Sequence, residues 1–210
     1  MAELTGAVSP ALPAAAVIAA VAADEGGYAV KLSDDCPLDG RFEIGSATKT
    51  MTGMVLASLV NDQAVALGDP IGRWLDAGQG LGSRVQGHAR GHPVPPWTHH
   101  LCGAGGVEAS AEDMARYLSA CLMPPDSAAG RAIRAAQQAH HRIDPLRSAG
   151  LGWALGPPGY LGHDGGTAGF RAMLGFRPPA CRAAGVFVND RAAPGLPLAV
   201  RRSLDRQGGN

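Results

Sequence analysis

Residues 42–60 carry two successive hydrophobic patterns, a short extended run and then a helical repeat. The extended run covers residues 42–44 and ends at Gly45. Four apolar residues then recur at helical spacing, namely Met51, Met54, Val55 and Leu59. This spacing predicts a helix that starts at Ser46, buries one apolar stripe and stops near Asn61.

Two pairs of apolar runs predict β-hairpins. Residues 14–23 and 28–32 flank a turn that contains two glycines. Because alanine is a poor strand former, a helix is the alternative for the first of these runs. Residues 170–176 and 183–188 alternate around a proline-containing turn, which indicates a hairpin in an antiparallel sheet.

Three further segments are predicted to be helical. Ser110 is a candidate N-cap, because Asp113 follows three residues later in a capping-box pattern. The buried face of that helix is predicted to consist of Met114, Tyr117 and Leu118. Residues 127–142 form a second helical run and residues 196–206 a closing helix, while residues 151–155 predict a short strand.

The middle of the chain is less regular. Residues 63–75 contain a short extended piece, a Gly-Asp-Pro turn and a short helix. Residues 76–96 are rich in glycine, proline and histidine and have no sustained period. We therefore expect a loop or weak strands there.

Composition indicates one soluble globular domain, since the 210 residues are 46% hydrophobic and 17% charged. Lys and Arg together equal Asp and Glu, so the zero net charge gives no reason to expect a nucleic acid or an anionic membrane as partner. No apolar run is long enough to span a membrane. Residues 11–23 are apolar but lack a preceding basic segment, so we predict no signal peptide and a cytoplasmic location.

Cysteines and histidines do not have the spacing of a metal site. The cysteines are Cys36, Cys102, Cys121 and Cys181. We expect them to be free buried thiols, with two disulfides in an oxidising compartment as the alternative. His88 and His92 are four residues apart, but nearby glycines and Pro93 argue against the helix that would align them.

Ser46 and Lys49 lie three residues apart in the first turn of the predicted helix, so they share one face. A serine hydroxyl is a weak nucleophile that needs a neighbouring base. The helix dipole and partial burial both disfavour the charged form of the lysine, and the free N–H groups of the turn can bind an oxyanion. A solvated lysine at an accidental spacing is the alternative, although only Lys31 and Lys49 of the 18 basic residues are lysines.

A second chemical candidate lies at residues 162–166, which read Gly-His-Asp-Gly-Gly. The glycines allow the backbone to approach a ligand closely between two strand-like segments. Taken alone, a histidine beside glycine more often marks a turn.

The segment FEIGSATKT at residues 42–50 resembles the active-site segment of the serine β-lactamase and penicillin-binding-protein superfamily, whose signature is S-x-x-K. The segments LGDPIGRWL, CGAGGVEASAEDMARYLSA and GGTAGF are similar to later elements of its class C-like branch, which also holds D,D-peptidases and esterases. This resemblance implies an α/β fold of the α+β type. It would have a central antiparallel sheet with helices on both faces.

The resemblance also implies roles for particular residues. Ser46 would be the nucleophile and Lys49 its base. The backbone N–H of Gly166 would join that of Ser46 in an oxyanion hole.

His163, Asp164 and Gly165 match the His-x-Gly form of the family's third motif, which lies on an edge strand beside the serine. By resemblance, His163 would contact the polar or carboxylate end of a substrate. Asp164 departs from the usual threonine or serine. It puts a carboxylate where anionic substrates would bind, unless it is turned away.

A larger departure from the family concerns the middle of the chain. The family's Tyr-x-Asn motif, whose tyrosine helps the serine–lysine pair to move protons, is missing, because none of Tyr28, Tyr117 and Tyr160 has an asparagine two residues later. We infer a single domain over residues 1–210 with an internal deletion near residues 78–86 and with the helical lid domain largely absent. The serine would then be more exposed than in relatives, and the uncovered face predicts a homodimer or poor solubility.

Two functional hypotheses follow. The first is a serine hydrolase that acts through an acyl-enzyme on a β-lactam, a D-Ala peptide or a small ester, without a cofactor or a metal. The second is an inactive binding or regulatory protein. The retained Ser46, Lys49 and His163 favour the first, and the missing tyrosine and lid favour the second.

Overall fold

An eight-stranded antiparallel sheet organises this computed structural model, which describes residues 16–64, 66–67, 85–96 and 102–205. The strands, in chain order, are β1 (Ile18–Asp24), β2 (Gly27–Leu32), β3 (Arg41–Glu43), β4 (His88–Ala89), β5 (His92–Pro93), β6 (Glu108–Ser110), β7 (His141–Arg142), β8 (Ser148–Ala149), β9 (Ala154–Gly156), β10 (Tyr160–Gly166), β11 (Arg171–Arg177) and β12 (Arg182–Val188). The large sheet has the order β2-β1-β12-β11-β10-β9-β8-β7. Two small antiparallel pairs, β3 with β6 and β4 with β5, lie outside it.

Helices cover both faces of this sheet, as predicted. They are α1 (Thr48–Asn61), α2 (Cys102–Gly105), α3 (Ala111–Leu122), α4 (Ala128–Ala136) and α5 (Leu196–Asp205). On one face, which we call the inner face, α3 packs against β1, β2 and β12, and α1 packs against α4. On the opposite, outer face, α5 packs against β11 and β12. Each face has its own buried apolar cluster, with Leu118 and Phe176 in the inner one and Val186 and Leu204 in the outer one.

The first predicted hairpin is confirmed as β1 and β2, and the helical alternative for its first run is wrong. β1 pairs with β2 on one side and with β12 on the other, for example through Ala19 opposite Phe187. Ala19, Ala20 and Val21 are completely buried. Packing in the middle of a sheet therefore outweighs the weak strand propensity of alanine.

The predicted buried stripe of α1 is confirmed for Met51 and Met54, which are half-buried and pack against the inner cluster, and is wrong for Val55 and Leu59. Val55 is 61% exposed and Leu59 is 39% exposed, whereas Gly53 and Ala57 are buried. A Cβ atom added at Gly53 would lie 2.1 Å from the carbonyl oxygen of Leu151. The helix therefore makes its closest contacts through small residues, which permit close backbone approach, and leaves Val55 and Leu59 exposed.

Other element predictions are confirmed or shortened. The capping box at Ser110 and Asp113 is present, with both reciprocal hydrogen bonds. The helix predicted over residues 127–142 ends at Ala136, because the Ala136 carbonyl accepts a hydrogen bond from the Leu151 amide and residues 141–142 pair as a strand. The second predicted hairpin is present as β11 and β12.

The cysteines are unpaired, and two of the four are buried as predicted. Cys36 and Cys121 are buried, Cys181 is half-buried and Cys102 is exposed, so the prediction of a buried thiol is wrong for Cys102. Among the described helices, none combines the length and the apolar character that crossing a bilayer requires. The cytoplasmic location stays a prediction.

Residues 68–84 lie outside the described part of the chain. The predicted Gly-Asp-Pro turn and most of the predicted deletion near residues 78–86 fall there. The deletion and the single-domain organisation therefore stay predictions. The weak strands expected before residue 96 are present as β4 and β5.

Candidate active site

Ser46 lies in a short 3-10 turn, Gly45–Ala47, that joins β3 to α1. The turn is anchored upstream by Ile44, which is fully buried and whose amide donates to the Val107 carbonyl at 3.2 Å. Gly45 has φ +50°, a left-handed conformation that favours glycine. Ser46 therefore precedes the α-helix proper, which begins at Thr48 rather than at the serine.

Lys49 extends back over this turn to the serine. Its Nζ donates to Ser46 Oγ at 2.8 Å and to the carbonyl oxygen of Ala104 at 2.9 Å. Both side chains are half-buried. The structure thus brings together the two residues that the S-x-x-K spacing singled out.

Strand β10 brings the second constellation to the same place. One edge of β10 faces β9. Residues 160–162 pair with β9 along this edge, and residues 163–166 do not. That edge lies against the serine turn. A Cβ atom added at Gly165 would lie 2.1 Å from the Ile44 carbonyl oxygen, and one added at Gly45 would lie 2.6 Å from the Gly166 nitrogen. Glycine is required on both sides of this contact because the two backbones touch.

His163 and Gly165 lie on the inner face of the sheet, since successive strand residues alternate and Leu161 belongs to the inner cluster. The Nδ1 atom of His163 lies 2.7 Å from the carbonyl oxygen of Gly152. Burial lowers the pKa of this imidazole, and the charge of Lys49 lowers it further. The hydrogen bond to Gly152 and the charge of Asp164 act in the opposite sense without reversing the shift.

Asp164 lies on the other face of the strand. Its register partner is Met173, which belongs to the outer cluster, and its side chain is exposed. The structure therefore turns the carboxylate away from the face that holds His163 and Gly165. Its charge acts on the imidazole from the neighbouring position in the strand.

Each of the three tyrosines is engaged away from the serine. The Tyr28 hydroxyl bonds to Glu112 and Arg116, and the Tyr117 hydroxyl donates to Thr50 Oγ1 at 2.7 Å. Tyr160 packs on the outer cluster, where Arg201 lies 5.2 Å from its ring centre.

Burial shifts the pKa values of Tyr117 and Tyr160 further from the physiological range. Burial raises the pKa of Tyr117 far above its ordinary value, and the neighbouring Cys121 adds to the rise. Burial raises the pKa of Tyr160 to about 12. Neither phenol is therefore poised to exchange a proton near neutral pH.

Two backbone carbonyls complete the site, and sequence reasoning missed both. Ala104 accepts from Lys49, and Gly152 accepts from His163. The short helix α2, which contains Ala104, is held next to α1 by the Thr52 hydroxyl, which donates to Gly103 O at 2.7 Å. Carbonyl groups occur at every residue, so the sequence held no signal for these two contacts.

The helix that would align His88 and His92 is absent, as the sequence indicated. His88 and His92 lie on β4 and β5 of a hairpin, not on a helix. Within the described ranges, no three His, Cys, Asp or Glu side chains converge as metal ligands would. His99 and His100 fall outside those ranges.

Comparison with known proteins identifies the family and the fold. The beta-lactamase family model matches two overlapping segments, residues 12–88 and 77–206. The fold is similar to the crystal structure of D-alanine carboxypeptidase AmpC from Burkholderia cenocepacia, with a TM-score of 0.80 and 16% sequence identity over 96% of this chain and 97% of that chain. No curated protein sequence gives a significant match. The two matched segments together span nearly all residues of this chain. The chain therefore belongs to the beta-lactamase family.

Proposed function

We propose that this protein is a serine hydrolase that acts through an acyl-enzyme, with Ser46 as nucleophile and Lys49 as its base. The observation that carries the proposal is the 2.8 Å hydrogen bond between Lys49 Nζ and Ser46 Oγ. A serine becomes an effective nucleophile when an adjacent base can take its proton. The Lys49 amine has a defined position for this role, because it also donates a hydrogen bond to the Ala104 carbonyl oxygen.

The reaction begins when Ser46 Oγ attacks the substrate carbonyl carbon and the uncharged amine of Lys49 takes the hydroxyl proton. The backbone N–H groups of Ser46 and Gly166 hold the oxyanion that forms. The close contact between the serine turn and β10 supports this pairing of donors. Collapse of the intermediate expels the alkoxide, which takes from Lys49 the proton that came from Ser46, and water then hydrolyses the acyl-enzyme.

Small esters are the substrate class that we favour over lactams and peptides. An alkoxide or phenoxide leaving group needs less protonation than an amine. A site whose tyrosine hydroxyls point elsewhere therefore loses less activity on an ester. The serine, lysine and histidine of the site suffice for this chemistry, so the proposal needs no cofactor and no metal.

An inactive binding or regulatory protein is the second candidate. The observation that favours it is the engagement of Tyr28, Tyr117 and Tyr160 away from Ser46. General acid–base help contributes about 10²–10⁴-fold to a rate, so its loss slows an enzyme without necessarily abolishing turnover.

Intact mass spectrometry after incubation with a fluorophosphonate, and separately with a penicillin, tests the proposal. We expect wild-type protein to gain one fluorophosphonate adduct, and Ser46→Ala to gain none. Ser58→Ala, which removes a hydroxyl from the same helix, is the matched control and should label like wild type. If folded wild-type protein reacts with neither reagent, the hydrolase proposal is wrong and the inactive binding or regulatory protein is the remaining candidate.

A further inference from the structure

The hydrogen bond of His163 defines the tautomer of its ring. A carbonyl oxygen only accepts hydrogen bonds, so Nδ1, at 2.7 Å from Gly152 O, must carry the proton. In the neutral ring the other nitrogen, Nε2, then has a free lone pair. Such a nitrogen can accept a proton.

Gly152 ties this ring to the helix that carries the lysine. It has φ +79°, and a Cβ atom there would lie 2.2 Å from the Lys49 carbonyl oxygen and 2.8 Å from the Thr50 Cα. The turn around Gly152 therefore packs directly on the backbone of α1 at Lys49. Gly152 therefore contacts both residues, the His163 ring through its carbonyl oxygen and Lys49 through backbone atoms.

The surroundings keep the imidazole uncharged near neutral pH. Two charged groups act on it from the elements around it, Lys49 on α1 and Asp164 on its own strand. Burial and Lys49 lower the pKa, and together they outweigh Asp164 and the hydrogen bond to Gly152. A base with a pKa somewhat below the working pH is largely in its proton-accepting form.

Among the described residues, no tyrosine hydroxyl is placed to transfer protons in this site. The hydroxyl of Tyr117 is used by Thr50, and Tyr160 lies on the outer face. His163 is the titratable side chain that β10 places on the inner face, two residues before the glycine that contacts the serine turn.

We propose that His163 is a catalytic base of this site and acts in deacylation, an inference that rests on the proposed serine hydrolase function. A water molecule forms a bond from its oxygen to the acyl carbon, and its proton goes to His163 Nε2. The bond between the acyl carbon and Ser46 Oγ then breaks. The proton on Nε2 passes to Lys49, which returns one proton to Ser46 Oγ, so the acid product leaves and the resting enzyme is restored.

Rapid-quench kinetics with p-nitrophenyl acetate and intact mass detection separates the two half-reactions. His163→Asn is the informative variant, because the asparagine amide can still donate to Gly152 O but lacks the Nε2 base. We expect its acetyl-enzyme to accumulate, with deacylation about 10²–10⁴-fold slower than in wild type and acylation much less affected. His141→Asn, an exposed histidine on β7, should behave like wild type.

The pH dependence gives a second readout that a merely structural role would not change. Deacylation of wild type should rise with pH through an apparent pKa below 6.5, the ordinary histidine value, and then level off. This rise of the deacylation rate with pH should be absent from the profile of His163→Asn. Nitrogen-15 NMR of the histidine side chains uses wild-type protein alone, so it does not depend on whether a variant folds. It should show a neutral His163 ring with the proton on Nδ1.

The outcomes distinguish this inference from the proposed function. A wild-type protein that forms no acetyl-enzyme overturns the proposed function and this inference with it. A wild-type acetyl-enzyme that hydrolyses at the same rate and with the same pH profile as that of His163→Asn overturns only the role of His163. A proton on Nε2 in the NMR spectrum would do the same.

Discussion

Lys49 makes two hydrogen bonds, and neither acceptor is a carboxylate. One acceptor is the Ser46 hydroxyl and the other is the Ala104 carbonyl. Neutral acceptors orient an amine without forming an ion pair with it. These contacts hold Lys49 Nζ beside Ser46 Oγ, where the lysine can act as the base of the proposed reaction or supply only a fixed positive charge.

Replacing Lys49 by arginine separates these two roles. Arginine keeps the positive charge and the hydrogen-bond donors but does not lose its proton in proteins. We expect Lys49→Arg to reduce the rate of Ser46 labelling by a fluorophosphonate by about 10²-fold or more, as measured by intact mass over time.

Lys31→Arg provides the matched control, since Lys31 is the other lysine of the chain and lies exposed on β2. It should label at the wild-type rate. If Lys49→Arg also labels at the wild-type rate, Lys49 is not the base and only its charge or its packing matters.

The sequence was sufficient to predict the serine–lysine pair but not the groups that orient it. Ser46 and Lys49 are separated by one helical turn, so their proximity follows from local geometry. Ala104 lies 55 residues from Lys49 along the chain. Its carbonyl reaches the amine through tertiary packing of α2 on α1, which no local pattern encodes.

At the scale of elements, the site depends on how closely β10 approaches the serine turn. The approach is possible because Gly165 has no side chain, and a Cβ atom there would lie 2.1 Å from Ile44 O and 3.1 Å from the Ala47 nitrogen. Both neighbours are backbone atoms, so they cannot rotate away as a flexible side chain would. The strand itself would have to move.

We therefore expect Gly165→Ala to reduce the free energy of unfolding by about 1–3 kcal/mol, as overpacking does. It should also slow acylation of Ser46, because the moved strand carries the Gly166 donor. Urea denaturation and fluorophosphonate labelling measure the two effects. Gly156→Ala on neighbouring β9 is the control, since an added Cβ meets nothing within 4 Å there.

The control should stay within about 0.5 kcal/mol of wild type and label normally. Equal stability and equal labelling of the two variants would mean that the contact between β10 and the serine turn is not a tight one.

Elements were predictable where their signals are local. The hairpin turn between β1 and β2 and the capping box at Ser110 are encoded within a few residues. The buried face of α1 was not predictable, because apolar spacing identifies an apolar face without saying what covers it. Gly53 and Ala57 are buried because α4 and the Leu151 backbone approach that side of the helix.

At the scale of the whole molecule, the packing of α1 through its small residues leaves an exposed apolar surface on this helix. Val55 and Leu59 are one helical turn apart and point outward from the face that packs on α4. Aliphatic groups exposed side by side contribute to association when a second apolar surface is available. In this family fold, the predicted loss of the helical lid would leave such a surface.

We expect the protein to form a homodimer through this face of α1. Sedimentation velocity over a range of concentrations should show a reversible dimer for wild type and a monomer for the double variant Val55→Glu, Leu59→Glu, because four buried carboxylates in a symmetric interface would be costly to desolvate. Leu198→Glu is the matched control. Leu198 is 53% exposed on α5, on the outer face of the sheet, so its replacement should leave the dimer intact. A wild-type protein that sediments as a monomer at high concentration would contradict the prediction, and dissociation by Leu198→Glu would place the interface on the opposite side of the sheet.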